Sequence, residues 1–273
     1  MDGGYLPLGR GRQRKILAAL LLNANRPVST NRLIDVVWGD ESPSTARQQT
    51  QNSIGMLRSA LAAAGAESRI HRQSATYTLE IEEAQIDSFV FRSQCTQAQR
   101  AVECGDGDRA ALHLEEALAL WCGPALEDIH SAALLANAEE LEARRLEAAQ
   151  ALVATRFEQG RHTEMIGKLT VWTAEYPYHE AFHRALAEAL QAASRVGDAL
   201  RVLSALRERL DRELSIGPEP ATQDLELRLA NSHALATGGQ EPGTRELIEA
   251  LREVTHQLSA VTRMMSKVPP LRR

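Results

Sequence analysis

The chain of 273 residues carries 31 Lys and Arg against 36 Asp and Glu, a net charge of −5, with only 4% aromatic residues. That length accommodates two domains with their own cores, and the dominance of Ala, Leu, Arg and Glu favours helix over strand. No apolar run nears the roughly 18 residues of a membrane span and no leader precedes the first helical pattern, so the expected setting is soluble and cytoplasmic, without a membrane partner.

In chain order, residues 12–24 place Ile16, Leu17, Leu20 and Leu21 on one helical stripe. After Asn25-Arg26-Pro27, Ser29 can cap a second helix running to Trp38. Val28 and Leu33 then hold the two positions of a hydrophobic staple, and Gly39 stops the helix. Ser42-Pro43-Ser44 is expected to open a third helix, with Pro43 in its first turn, running to about Ala64. Its inner face is Ala46, Ile54, Leu57 and Leu61, and its outer face Arg47, Gln48, Gln51, Asn52, Gly55 and Arg58. Arg, Gln and Asn carry the forked donors and acceptors that match guanine and adenine edges in a major groove. Residues 69–81, RIHRQSATYTLEI, predict a hairpin with a small polar tip and basic residues on its first arm. Three helices and a hairpin in this order make a winged helix-turn-helix. On that layout Arg47, Gln48, Gln51 and Asn52 are the candidate base readers. Ser44, Thr45, Arg58, Arg69 and Arg72 are the candidate contacts to phosphates or the minor groove.

The charge is unevenly placed. Residues 1–79 hold ten Lys and Arg against five Asp and Glu, a balance of +5, whereas 85–273 hold 21 against 28, or −7. A modestly basic module joined to an acidic one suits a DNA reader attached to a protein-contacting domain.

Beyond a short linker at 82–85 the pattern is almost continuously helical, over about 87–103, 108–120, 132–159, 161–175, 179–194, 196–214 and 220–229. Gly107-Asp108, Gly160-Arg161 and Gly197-Asp198 mark three helix starts. With Glu175-Tyr176-Pro177 in the place of a closing proline, they suggest stacked helix pairs of the tetratricopeptide kind. The string His179-Glu180-Ala181-Phe182-His183 matches a zinc-protease motif literally, but no third ligand accompanies it, and Pro177 makes it the start of a packing helix. Cys95, Cys104 and Cys122 lack paired spacing and read as reduced thiols. With no phosphate-cradling loop and no nucleophile beside an activating base, the chain is expected to be neither an enzyme nor a cofactor or metal binder. A polar linker is expected over 231–243, then an amphipathic helix over 244–267. In that helix Leu247, Leu251, Val254, Leu258, Val261 and Met265 recur at heptad spacing, a seam for a homodimer or for packing on its own domain.

The run LGRGRQRKILAALLLNANRPVSTNRLIDVVWGDESPSTARQQTQNSIGMLRSAL, residues 8–61, resembles the OmpR-type DNA-binding domain of the SARP/AfsR-type antibiotic regulatory activators. The segments DSFVFRSQC from Asp87, GDRAALHLEEALALWCGPAL from Gly107, RLEAAQALVATRFEQGRH from Arg145 and RELSIGPEPATQDLELRLA from Arg212 resemble the bacterial transcriptional activation domain that follows in that family. The resemblance departs at the start, where only Gly4-Tyr5-Leu6-Pro7-Leu8 corresponds to an initial sheet. It departs again in helix 3, where relatives tend to be apolar at Thr50 and Asn52 and basic at Met56. It implies a mainly α protein: a winged helix-turn-helix at 1–84 and a TPR-like activation domain at 86–230. It also implies double-stranded promoter DNA bound as direct repeats, recruitment of RNA polymerase holoenzyme, a homodimer and a place on the nucleoid. The competing reading is a helical-repeat interaction scaffold whose degenerate winged helix no longer binds DNA.

Overall fold

The computed structural model describes residues 11–65 and 69–237. The Gly4–Leu8 segment, residues 238–243 of the expected 231–243 linker and the 244–267 helix with its seam lie outside the described residues.

Helix α1 spans Arg12–Leu22, α2 Thr30–Trp38 and α3 Ala46–Ala63. Ser29 caps α2, its hydroxyl accepting from the Arg32 N–H at 3.1 Å. Val28 and Leu33 are both buried as the staple requires. Gly39 ends α2 at φ 59°, ψ −136°, a backbone region that side chains with a β-carbon rarely enter. Helix α1 stops two residues short of the expected Ala24 because Asn25 turns left-handed at φ 63°. The Asn25 side chain then exchanges two hydrogen bonds with the Ile81 backbone, at 2.9 and 3.1 Å, which ties the helix end to the hairpin.

Helix α3 also departs from expectation. It begins at Ala46, and Pro43 lies ahead of it in a turn whose central residues are Ser44 and Thr45, closed by Ala46 N–H to Pro43 C=O at 2.9 Å. Ser and Thr hydroxyls favour such turns over the interior of a helix.

The hairpin forms as β2 Arg69–Gln73 and β3 Thr76–Glu80. A two-residue strand β1, Val28–Ser29, pairs with β3, giving an antiparallel sheet of order β1-β3-β2. Two residues are too few to leave an alternating pattern, so β1 was invisible in the sequence. It is held by Thr30, whose N–H and hydroxyl both donate to Ala75 C=O at 2.8 Å. Ile16, Leu20, Leu33, Ile54, Leu57 and Leu79 fill the core between the three helices and the sheet.

The helices that follow are α4 Asp87–Glu103, α5 Gly107–Leu118 and α6 Leu135–Glu158, the last entered through a 3-10 turn at Ala132–Leu134. Facing alanines, Ala98 and Ala101 on α4, Ala110 and Ala111 on α5, and Ala148 and Ala149 on α6, are all buried. These helices belong to the same compact unit as the winged helix, a unit that ends at Gly160. Contacts from the segment before α6 make that union. Leu134, 3% exposed, joins the winged-helix core, Ser131 donates to Val36 C=O at 2.6 Å, and Arg32 donates to Ala133 C=O at 2.8 Å.

The second unit contains a 3-10 turn at His162–Met165, then α7 Ile166–Glu175, α8 Glu180–Ala192, α9 Val196–Leu214 and α10 Pro220–Thr237. Helix α10 runs past the expected end at Leu229 and takes up the first seven residues of the expected linker. Ala230 and Ala234, good helix formers, flank Asn231-Ser232-His233 on this extension. The three glycine marks are not equivalent either. Gly107 and Gly197 lie in first turns, while Gly160 closes α6 at φ 71°.

Candidate nucleic-acid interface

Helix α3 presents a polar face because its apolar positions are consumed by the core. Ala46, Thr50, Ser53, Ile54, Leu57 and Leu61 are buried, and Thr50 and Ser53 return their hydroxyls to the carbonyls of Ala46 and Gln49, both at 2.9 Å. Thr50 therefore behaves as an inner-face residue, at 0% exposure. On the opposite side Arg47, Gln48, Asn52, Gly55, Met56 and Arg58 are exposed and Gln51 is half-buried. The structure thus brings the four expected base readers together on one helix face.

These side chains are partly ordered. An Arg47 Nη donates to Asn31 Oδ1 on α2 at 3.3 Å, and Gln48 Nε2 donates to Asn52 Oδ1 at 3.2 Å. Asn31 was not among the expected site residues, since position 31 in the sequence shows only a polar α2 surface. Gln49 receives a hydrogen bond from Arg12 and donates to the Thr45 hydroxyl at 2.8 Å. Arg12 also stacks over the Trp38 ring at 5.5 Å. Thr45 is therefore engaged inside the turn, while Ser44 beside it is exposed.

The wing arginines divide by role. Arg58 Nε donates to Ile70 C=O at 2.9 Å, which pins β2 to α3. Arg72 Nε reaches the Ser74 carbonyl of the hairpin tip at 3.4 Å, and Arg69 is exposed at the start of β2. Across the ladder His71 Nε2 lies 2.7 Å from Glu80 Oε2, so the only acid of this hairpin is paired within it. The wing keeps its arginine charge outward.

With this geometry, a family model described as bacterial transcriptional activator domain matches residues 86–230, and one described as transcriptional regulatory protein, C terminal, matches residues 8–75. The chain belongs to the SARP family of transcriptional regulators. It is 31% identical to the transcriptional regulatory protein EmbR of Mycobacterium tuberculosis over 86% of this chain and 61% of that protein. It is 28% identical to the regulatory protein DnrI of Streptomyces peucetius over 81% of this chain and 84% of that protein. The solved structure of M. tuberculosis EmbR in complex with a low affinity phosphopeptide matches with a TM-score of 0.73 at 30% identity, covering 85% of this chain and 62% of that one. The chain therefore spans about three fifths of EmbR's length. SARP proteins are transcriptional regulators rather than enzymes, and among the described residues no helix is long and apolar enough to cross a membrane.

Within this SARP chain the His-Glu-x-x-His string has a structural use. Glu180 accepts from the Glu219 N–H at 2.9 and 3.0 Å and from the buried Thr222 hydroxyl at 2.5 Å, so it holds the start of α10. Arg184 completes the joint, bonded at 2.9 Å to both Glu219 and Thr222. The carboxylate that a zinc protease would use as its base is thus committed to a helix terminus. His183 sits on the buried face of α8, 5% exposed. Burial pushes its imidazole below the ordinary histidine range, and the Pro177 carbonyl offsets this only in part. Burial likewise pushes down His179, whose ring lies 4.4 Å from that of Phe182.

A pH dependence follows. The unfolded chain takes up protons on these histidines near their ordinary pKa, while the folded unit resists doing so. The stability contributed by the neutral form is thus fully present above the unfolded pKa of about 6.5 and is lost as pH falls below it. The second unit is expected to melt at progressively lower temperature as pH falls below about 6.5. His183→Leu should flatten that slope in a thermal scan followed by circular dichroism; an unchanged slope would remove His183 as its source.

Proposed function

We propose that this SARP chain is a sequence-selective DNA-binding activator, with α3 lying in the major groove and Arg47, Gln48, Gln51 and Asn52 reading base edges. The observation that carries the reading is the grouping of exposed Arg47, Gln48 and Asn52 with half-buried Gln51 on one face of α3, away from its buried positions. Ser44 at the entry to α3, with Arg69 and Arg72 on the wing, reaches the flanking phosphates or minor groove. Thr45 and Arg58 hold the turn and the wing in place beside the duplex. A head-to-tail docking of such modules fits promoter direct repeats rather than a palindrome. The acidic helical region recruits RNA polymerase holoenzyme, the genes served are those of a secondary-metabolite cluster, and the chain acts as a homodimer on the nucleoid.

The basic balance of residues 1–79 is only +5, so each subunit neutralises about four to six phosphates and the salt dependence is moderate. Titrating the protein onto duplexes from its own gene neighbourhood at two salt concentrations tests this. Expected is selective binding whose logarithmic slope against salt is roughly −4 to −5 per subunit. Absence of binding at micromolar protein would favour the interaction-scaffold reading instead.

A further inference from the structure

We propose that Gly55 is the point at which the backbone of α3 makes its closest approach to base-pair edges, a role that rests on the DNA-binding reading above. Glycine is the least favourable residue in a helix interior after proline, and Gly55 stands well inside α3, Ala46–Ala63. Among the described residues nothing asks for it. Its backbone does not enter the left-handed region, and a β-carbon built on it meets no atom within 4 Å. Space is open and a better helix former would fit. No described residue uses the space that a side chain there would fill, so it is open to a partner.

The position is central to the outer face. Asn52 and Ser59 flank it at i−3 and i+4, and Gln51 and Arg58 at i−4 and i+3, the spacings that place side chains on one side of a helix. Its polar neighbours run along the helix axis. Gln48 reaches Asn52 at 3.2 Å, and the Ser59 hydroxyl folds back onto the Gly55 carbonyl at 3.2 Å. The surface is consequently low at Gly55, with readers standing on either side. A helix with its side chains is about 10–12 Å across, and the major groove of B-DNA is about 12 Å wide and 8.5 Å deep. At a glycine the helix can sit deeper in that channel, so that Gln51 and Asn52 reach base edges that a methyl group at position 55 would hold away.

Gly55→Ala separates this role from a structural one because the two effects have opposite signs. The variant should melt at higher temperature than the wild-type chain, through improved helix propensity. It should bind its specific duplex about five- to a hundredfold more weakly, the range that the loss of one bidentate pair spans. The salt slope should be unchanged, the phosphate contacts being elsewhere. Gly167→Ala in α7, where a β-carbon likewise meets no atom within 4 Å, should leave affinity within about twofold. If the wild type binds and Gly55→Ala binds as tightly, the inference fails while the DNA reading stands. If the wild-type chain binds no duplex, the DNA reading fails and takes the inference with it.

Discussion

Leu134→Ala is expected to lower the stability of the winged helix by about 2–5 kcal/mol, although residue 134 lies some fifty positions beyond the hairpin. The side chain is 3% exposed and belongs to the apolar cluster formed by Ile16, Leu33, Val36 and Leu57. Its truncation removes the transfer free energy of the lost methyl groups and leaves a cavity that α1 and α2 cannot close without moving. The neighbouring Ser131 bond to Val36 C=O, 2.6 Å long and buried, resists such a shift. In a domain of this size 1 kcal/mol corresponds to roughly 2–4 °C, so a loss of several degrees should be visible by calorimetry of the full chain. Leu135→Ala, at a position 59% exposed, should change stability by no more than about 0.5 kcal/mol. If Leu134→Ala melted like the Leu135→Ala control, the winged helix would be an independent body and the shared core would be wrong. The consequence is that the winged helix and α4–α6 share one core, so a fragment ending near residue 84 would lack part of it.

That union is what the sequence could least reveal. Local signals were strong where a single residue decides a local event. Ser29 and Gly39 bracket α2, and the Asp87–Glu103 and Val196–Leu214 helices occur with the boundaries their periodicity predicts. They were weak where the decision is tertiary. Leu134 looks like any helix-entry leucine until the α2 surface it covers is known, and Ser131 and Ala133 carry no pattern at all. Pro43 shows the same limit at short range. A proline before a helical run is compatible with the first turn of a helix or with the turn preceding it, and the Ser44-Thr45 pair settled on the latter. The four expected base readers were legible because helical periodicity fixes a face once the buried positions are known. Asn31, which orders Arg47, was not, because it belongs to another helix. The zinc-like string misleads for a related reason: the partner that decides the fate of Glu180 is Thr222, 42 residues away.

Arg47→Ala is expected to weaken specific DNA binding by about 1–3 kcal/mol while leaving thermal stability within about 0.5 kcal/mol. The two expectations separate because Arg47 is exposed and its internal tie is a single 3.3 Å hydrogen bond to Asn31, whereas Arg58 is bonded to the β2 backbone and its removal would disturb the wing as well. The nature of the contact is then decided by charge-preserving substitution. A guanidinium that grips two acceptors of one guanine cannot be replaced by a point-charge ammonium, so Arg47→Lys should remain nearly as weak as Arg47→Ala on the specific duplex. On an unrelated duplex it should bind like wild type, since phosphate attraction survives. Full recovery by Lys would instead assign Arg47 to a phosphate and shift base reading toward Gln48, Gln51 and Asn52. Asn31→Ala refines this further. Its carboxamide contacts Arg47 and need not touch DNA, so its loss should raise the conformational cost of placing the guanidinium and weaken binding only modestly. In Arg47→Ala, where there is no guanidinium to place, it should have no effect. Additive losses from the two substitutions would mean that Asn31 meets the duplex independently, and the ordering role drawn from the 3.3 Å contact would have to be given up.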